Sequence, residues 1–362
     1  MAMSLRLPPL PSVRDLTKLY RLQAKKQLAQ NFLMDERLTN KIVRQAGNLQ
    51  GWQVLEVGPG PGGITRSIMR KLPDRIILVE KDKRFQPTLE MLTEAFSTVN
   101  GKMNVFYDDI MGFDFSKVFS EEVKREWSDK SPKIHIIGNL PFNVSTPLII
   151  RWLHDISEKR GAWALGRVRL LLTFQKEVAE RLVAPPSGAQ RCRLSVMAQA
   201  WTKPKLRFVI PGRAFIPEPD VDVGVVTFDP LETPRTDHEF SFFEKVTRHL
   251  FSFRQKYSLA CVKTLFPYEH QNDLGLMMFK LSDLDPTMRP IELTVEDMHR
   301  LASAYQYLLE KHPEIKDYNY RASRKVLSKC HTKEIQVEEI DDMYLTSGVD
   351  TPPQAQEMSL NK

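Results

Sequence analysis

Asn139-Leu140-Pro141-Phe142 combines the groups needed to hold a planar ring by an exocyclic amine. An Asn side-chain oxygen and a backbone carbonyl can each accept one amine proton, Pro141 fixes the turn, and Phe142 can stack on the ring. An aromatic amine is a poor nucleophile because its lone pair is delocalised into the ring. Two acceptors that draw on its protons localise that pair and aim it at an electrophile. The bland reading is a strand ending in a Pro turn with Phe142 in the core, so the tetrapeptide gains meaning only beside a second site.

Such a site stands upstream. Glu56-Val57-Gly58-Pro59-Gly60-Pro61-Gly62-Gly63 follows one apolar run and precedes a helical one. Gly58 and Gly60 allow tight turning and close approach of a ligand to the backbone. Pro59 and Pro61 remove two N–H donors, which argues against a pyrophosphate cradle, and no Walker lysine motif is present. Glu80 ends the second apolar run, 22 residues after Gly58, where a carboxylate can accept from both hydroxyls of an adenosyl ribose. Asp109 follows the third run, suited to an adenine amine, and Asn139 follows the fourth. Singly, each could be a solvated strand end, a turn cap or a packing glycine. In order at successive strand ends, they define the carboxyl edge where open α/β sheets bind ligands. The pattern suits an adenosyl cofactor with an amino-acid tail and no phosphates.

Taken together, these motifs resemble the ribosomal-RNA adenine dimethyltransferase family, its mitochondrial branch in particular, over roughly Ala24 to His312. Lys26-Gln27-Leu28-Ala29-Gln30-Asn31-Phe32-Leu33 is similar to the family's opening cofactor motif. Glu56–Gly63 resembles its glycine loop, Glu80-Lys81 its ribose-binding acid, Asp109 its adenine-binding acid and Asn139–Phe142 its target-amine motif. Ala214-Phe215-Ile216-Pro217-Glu218-Pro219-Asp220-Val221-Asp222 is similar to the family's late Phe-x-Pro-x-Pro-x-Val-Asp stretch. Gln255 departs from the pattern, which usually has a second Arg there. The resemblance implies S-adenosylmethionine as methyl donor, held by Gln30, Asn31, Leu33, Gly58, Gly60, Glu80, Lys81, Asp109 and Asn139. It implies as substrate two adjacent adenines in a hairpin loop near the 3′ end of small-subunit rRNA. The implied setting is the mitochondrial matrix, with the assembling small ribosomal subunit as partner. Asn139 and the Leu140 carbonyl would accept the amine protons, Pro141 would set the turn, and Phe142 and Phe215 would sandwich the base. The bland alternative for Phe215 is a core aromatic beside Pro217. No general base or metal is required. A rival is a transcription or assembly factor that binds mitochondrial DNA or transcription machinery without methylation. A DNA adenine methyltransferase would share the Asn-x-Pro-aromatic logic, without the opening and late motifs together.

The elements that must position these residues are legible as alternating strands and helices. Apolar runs at Gln53–Val57, Arg75–Val79, Asn104–Tyr107, Ile134–Ile137, Val168–Thr173, Leu206–Ile210 and Gly224–Phe228 predict strands. Helices are predicted over Ile64–Lys71, Phe85–Phe96 and Gln175–Leu182, then Phe242–Phe253, Gln255–Leu265, Asp273–Lys280 and Val295–Lys311. The expected fold is α/β: a Rossmann-like methyltransferase sheet over residues 27–231 and a smaller all-helical RNA-binding domain over 238–320. Residues 1–26 form a basic segment, read as a mitochondrial presequence or as a folded arm touching RNA, with a helix from Ser12 onward. Residues 321–362 read as a polar, mostly disordered tail.

Composition agrees with this class. The 362-residue chain is 42% hydrophobic and 27% charged, with net charge +7, which favours an anionic partner. Cys192, Cys261 and Cys330 are odd in number and far apart, which argues against a zinc knuckle or a disulfide scaffold and fits a reducing compartment better. No apolar run reaches membrane-spanning length. Basic residues cluster at Arg160, Arg167, Arg169, Lys203, Lys205, Arg207 and Arg213, and again at Lys245, Arg248, Arg254, Lys256 and Lys263, as candidates for rRNA phosphates.

Overall fold

A computed structural model describes residues 6–22, 24, 30–115, 118–316, 318 and 320. Its elements begin with helix α1 (Val13–Leu19), the two-residue strand β1 (Phe32–Leu33) and α2 (Glu36–Arg44). Strands and helices then alternate: β2 (Gln53–Val57), α3 (Gly63–Met69), β3 (Arg75–Glu80), α4 (Gln86–Ser97), β4 (Lys102–Tyr107), β5 (Ile134–Gly138), α5 (Phe142–Ser157) and β6 (Arg169–Gln175). After α6 (Lys176–Val183) and α7 (Arg193–Trp201) come β7 (Thr202–Ile210), β8 (Phe215–Ile216) and β9 (Val223–Pro230). Four helices close the described chain: α8 (Phe240–Leu250), α9 (Ser258–Val262), α10 (Gln271–Ser282) and α11 (Val295–Lys311).

Seven strands make one sheet in the order β4-β3-β2-β5-β6-β9-β7. Strands β4 through β6 run parallel, and β9 pairs antiparallel with both β6 and β7. The chain leaves β2 toward β3 and β4, then returns to β5 on the other side of β2. This reversal opens a crevice outside the carboxyl ends of β2 and β5, where such sheets bind ligands.

Every residue of β2 and β5 is buried, as parallel strands covered on both faces must be. Alternation sorts their side chains between two layers. Val54, Ile76, Leu78, Ile137 and Leu171 pack with residues of α2, α3 and α4. Leu55, Ile77, Ile136, Leu170 and Leu172 join a second cluster with Trp152 of α5 and Val196 of α7. That second cluster continues without interruption into Phe243, Leu250, Met278, Leu301 and Tyr305 of the C-terminal helices.

Several elements depart from the sequence-based expectations. The tetrapeptide at Asn139 is not an isolated turn: Pro141 is the residue preceding α5, which runs 16 residues from Phe142. The helix expected over Gln255–Leu265 is interrupted. Arg254–Tyr257 turns, α9 covers only Ser258–Val262, and tight 3-10 turns flank it. At the N-terminal end, α1 forms behind a Ser12 cap, with Leu16 buried and Leu19 exposed. The segment docks on the sheet layer, since Arg66 Nη1 donates to the Pro11 carbonyl at 2.6 Å. Residues 25–29, which carry the start of the opening motif, and residues 321–362 lie outside the described residues. No helix of the described residues is long and apolar enough to cross a membrane.

Candidate active site

The crevice at the switch point is a cleft of about 350 Å³. Its walls include Gln30, Asn31, Leu33, Gly58, Gly60, Glu80, Lys81, Asp109, Asn139, Leu140, Pro141, Phe142 and Phe215. All the residues singled out for cofactor and target amine therefore converge on one site. Four sources supply them: the carboxyl ends of β2 to β5, the start of α5, the β1–β8 ribbon in which Leu33 pairs with Phe215, and the residues Gln30 and Asn31 that lead into β1.

Glu80 sits at the last position of β3 and is 5% exposed. Its Oε2 accepts from the Gly60 amide at 2.9 Å and its Oε1 from the Asp82 amide at 2.8 Å. One carboxylate thus ties the glycine loop to the turn after β3, and each oxygen retains a second acceptor lone pair. Gly60 has φ +54°, a left-handed conformation, and a Cβ there would lie 3.4 Å from the Phe32 ring. At the cleft mouth Lys81 Nζ bridges to Asp109 Oδ2 at 2.7 Å, and this hydrogen bond is the main reason the Asp109 carboxyl titrates below its usual value.

Asn139 is held on both ends of its amide. Its Nδ2 donates to the Asn31 carbonyl at 3.4 Å, and its Oδ1 accepts from the Thr173 hydroxyl at 2.8 Å. A carbonyl can only accept, so Asn31 settles which end of the amide is nitrogen. Thr173 was not anticipated as a site residue. Its one signal is a lone hydroxyl near the end of the apolar run Leu170-Leu171-Leu172-Thr173-Phe174. Asp82 and Arg84 were also missed: Asp82 accepts from Gln30 Nε2 at 3.2 Å and from Arg84 Nη2 at 2.6 Å, fixing Gln30 at the cleft wall. Phe142 is half-buried, whereas Phe215 borders the cleft but is 2% exposed and packs in the core layer, the setting of the core-aromatic alternative.

Glu56 lines the same cleft, is 1% exposed, and has no hydrogen-bond partner at Oε2. Burial, the dominant cause, pushes its pKa from 4.5 up to about 8. Unfolded Glu56 loses its proton near 4.5, so its stabilising contribution is full below that pH and is lost as pH rises toward 8. Buried His135 on β5 works in the opposite sense: burial, then Arg169, lowers its pKa from 6.5 to about 4. Its contribution is full above 6.5 and is lost as pH falls toward 4. The two slopes oppose one another from 4.5 to 6.5, and above 6.5 the Glu56 side remains; burial raises the pKa of Glu80 in the same sense. The ligand-free protein is therefore expected to lose about 2 kcal/mol from Glu56 alone between pH 6.5 and 8. Glu56→Gln should flatten that decline in urea or thermal melts; an unchanged slope would assign it to other groups.

Comparison with known proteins fits this geometry. The family described as "Ribosomal RNA adenine dimethylase" matches residues 21–306. The chain belongs to that family. It is 51% identical to the Drosophila melanogaster protein named dimethyladenosine transferase 1, mitochondrial, over 89% of this chain and 96% of that one. Its human namesake is 49% identical, over 88% and 92% of the two chains. Among solved structures, a dimethyladenosine transferase from Plasmodium falciparum shares the fold, with a TM-score of 0.59 and 22% identity over 76% of this chain and 98% of that one. The 23S rRNA methyltransferase ErmE does so with a TM-score of 0.53 and 17% identity, covering 76% of this chain and 100% of that one. As an rRNA adenine dimethylase, the chain is an enzyme that methylates adenine in rRNA. Family and fold imply S-adenosylmethionine as donor in general, and the cleft fits such a group. It offers a buried, unpartnered carboxyl oxygen on Glu56 to an ammonium and a doubly anchored carboxylate on Glu80 to a diol.

Proposed function

We propose that this enzyme carries out N6,N6-dimethylation of two adjacent adenines in the hairpin loop near the 3′ end of mitochondrial small-subunit rRNA, in the matrix, during assembly of that subunit. The observation that carries the reading is the doubly held Asn139 amide at the end of β5, in the same cleft as Glu80 and Asp109. The mitochondrial setting follows the names of relatives about half identical over most of their length.

When bound, S-adenosylmethionine supplies an electrophilic sulfonium methyl. Glu80 accepts from the ribose hydroxyls and Asp109, steadied by Lys81, accepts from the cofactor's adenine amine. Gln30, Asn31, Leu33, Gly58 and Gly60 line the rest of its bed. The Asn139 Oδ1 and the Leu140 carbonyl accept the protons of the target amine and aim its lone pair, while Phe142 stacks on the base and the buried Phe215 backs the pocket wall. Positioning of this kind supplies most of the acceleration when the electrophile is already strong. The proton released on methylation passes to water, because an N-methylated anilinium-like nitrogen is acidic. The second transfer has only one amine proton left to accept, which a neutral Asn tolerates better than a carboxylate.

Dimethylated adenine cannot form a normal Watson–Crick pair, so reverse transcriptase stops at it. Primer extension across the rRNA hairpin is expected to show paired stops that vanish when this protein is removed and return when it is restored. Stops that persist without it would overturn the reading.

A further inference from the structure

The β1–β8 ribbon has two faces, because successive strand residues point to opposite sides. Phe215 lines the active-site cleft, and its neighbour Ile216, 46% exposed, lines a second cleft of about 950 Å³. Leu33 and Gly63 line both, so the ribbon and the start of α3 are a shared wall. The N-terminal segment, α2, α3 and the loop before β8 complete the second cleft.

Five arginines line it against two acids, Asp35 and Glu36. Both acids are committed: Asp35 accepts the Arg37 amide at 2.8 Å as the cap of α2, and Glu36 pairs with Arg70. Arg66 is only 7% exposed. Its Nη1 reaches the Pro11 carbonyl, while Nε and Nη2 have no partner. Burial, and then the charge of Arg70, lower its pKa, a strain that a nearby anion would relieve. Arg6, Arg14 and Arg213 line the same cleft from exposed positions. A planar guanidinium with unfilled donors is suited to bidentate phosphate binding.

We propose that this cleft holds backbone phosphates of the RNA strand flanking the target adenine, with Arg66 as the buried contact and Arg6, Arg14 and Arg213 around it. The inference rests on the functional reading above. A base entering beside Phe215 leaves its own strand at β8, one residue from the arginine-lined face. The folded N-terminal arm then serves as a wall of the RNA path.

Arg66→Gln alone is ambiguous because it also removes the bond to Pro11, so the test uses the exposed pair. Arg6→Gln/Arg213→Gln is expected to weaken binding of a fluorescent rRNA hairpin about tenfold near 0.1 M salt. The slope of log K against log salt should shrink by about one for each arginine removed. S-adenosylmethionine affinity, measured calorimetrically, should stay at the wild-type value. Lys102→Gln removes one exposed charge from the amino end of β4, a position that lines neither cleft, and should leave the slope unchanged. A double variant indistinguishable from Lys102→Gln would overturn the proposal. A wild-type chain that shows the arginine-dependent slope yet leaves the adenines unmethylated would support this cleft and overturn the functional reading instead.

Discussion

Asn139→Ala is expected to slow methyl transfer to the rRNA hairpin by about 10²–10³-fold, the usual cost of deleting one preorganised polar group that acts on the reacting centre. Affinity for S-adenosylmethionine should change by less than about tenfold, because Glu80 and the glycine loop hold that molecule independently of the amide. The asymmetry follows from geometry. Thr173 and the Asn31 carbonyl fix the Asn139 amide before any substrate arrives, so its oxygen pays no ordering entropy on binding. Thr173→Val in the same assay removes the hydroxyl at 2.8 Å and leaves Asn139 in place. It should reduce turnover about tenfold without shifting the cofactor titration. Single-turnover rates with saturating cofactor separate these effects. Undiminished transfer by Asn139→Ala would remove the residue from the mechanism.

Why the sequence shows Asn139 and Glu80 but not their supports is a matter of range. A strand end is local: an apolar run stops, a polar residue follows, and successive ends of this kind announce a carboxyl-edge site. Thr173 and Asp82 acquire their roles only when β6 lies beside β5 and the turn after β3 meets Gln30, contacts 34 and 52 residues apart in the chain. The β1–β8 ribbon pairs two residues with two others, too few to show any periodicity. Helix α5 is hidden for another reason. Its opening Phe142-Asn143-Val144-Ser145-Thr146-Pro147 is poor in helix formers, and tertiary burial of Leu148, Ile149 and Trp152 overrides that propensity.

Of the basic residues read as phosphate contacts, Arg160 pairs with Asp155 at 2.6 Å and Arg167 donates to the Trp127 carbonyl at 2.9 Å. Arg169 lies over the Trp52 ring, and Arg254 bonds the Ala189 carbonyl beside the departure at Gln255. These side chains hold loops and helix ends. Around the second cleft, Arg6 and Arg14 were legible only as part of a basic N-terminal segment and Arg66 and Arg70 not at all, because only the fold brings them beside Arg213.

Glu80→Ala should be the most damaging single change in the site, and in two separable ways. The Gly60 and Asp82 amides would lose their acceptor in a buried setting, at about 1–3 kcal/mol for each unsatisfied donor. The ligand-free protein should therefore melt earlier. The ribose acceptor would go as well, and loss of two charge-assisted bonds weakens S-adenosylmethionine by at least about 100-fold. Glu80→Gln distinguishes the two. It keeps the shape and one acceptor but presents an NH₂ to one of the two backbone amides, donor against donor. That variant is expected to bind the cofactor nearly as poorly as Glu80→Ala while removing the buried carboxyl that burial holds above its usual pKa. Its melting temperature should consequently vary less with pH above the ordinary carboxylate range than the wild type's. Isothermal titration and melts at two pH values check both halves. Cofactor affinity within tenfold of wild type in Glu80→Ala would show that this carboxylate organises the loop without contacting the ribose.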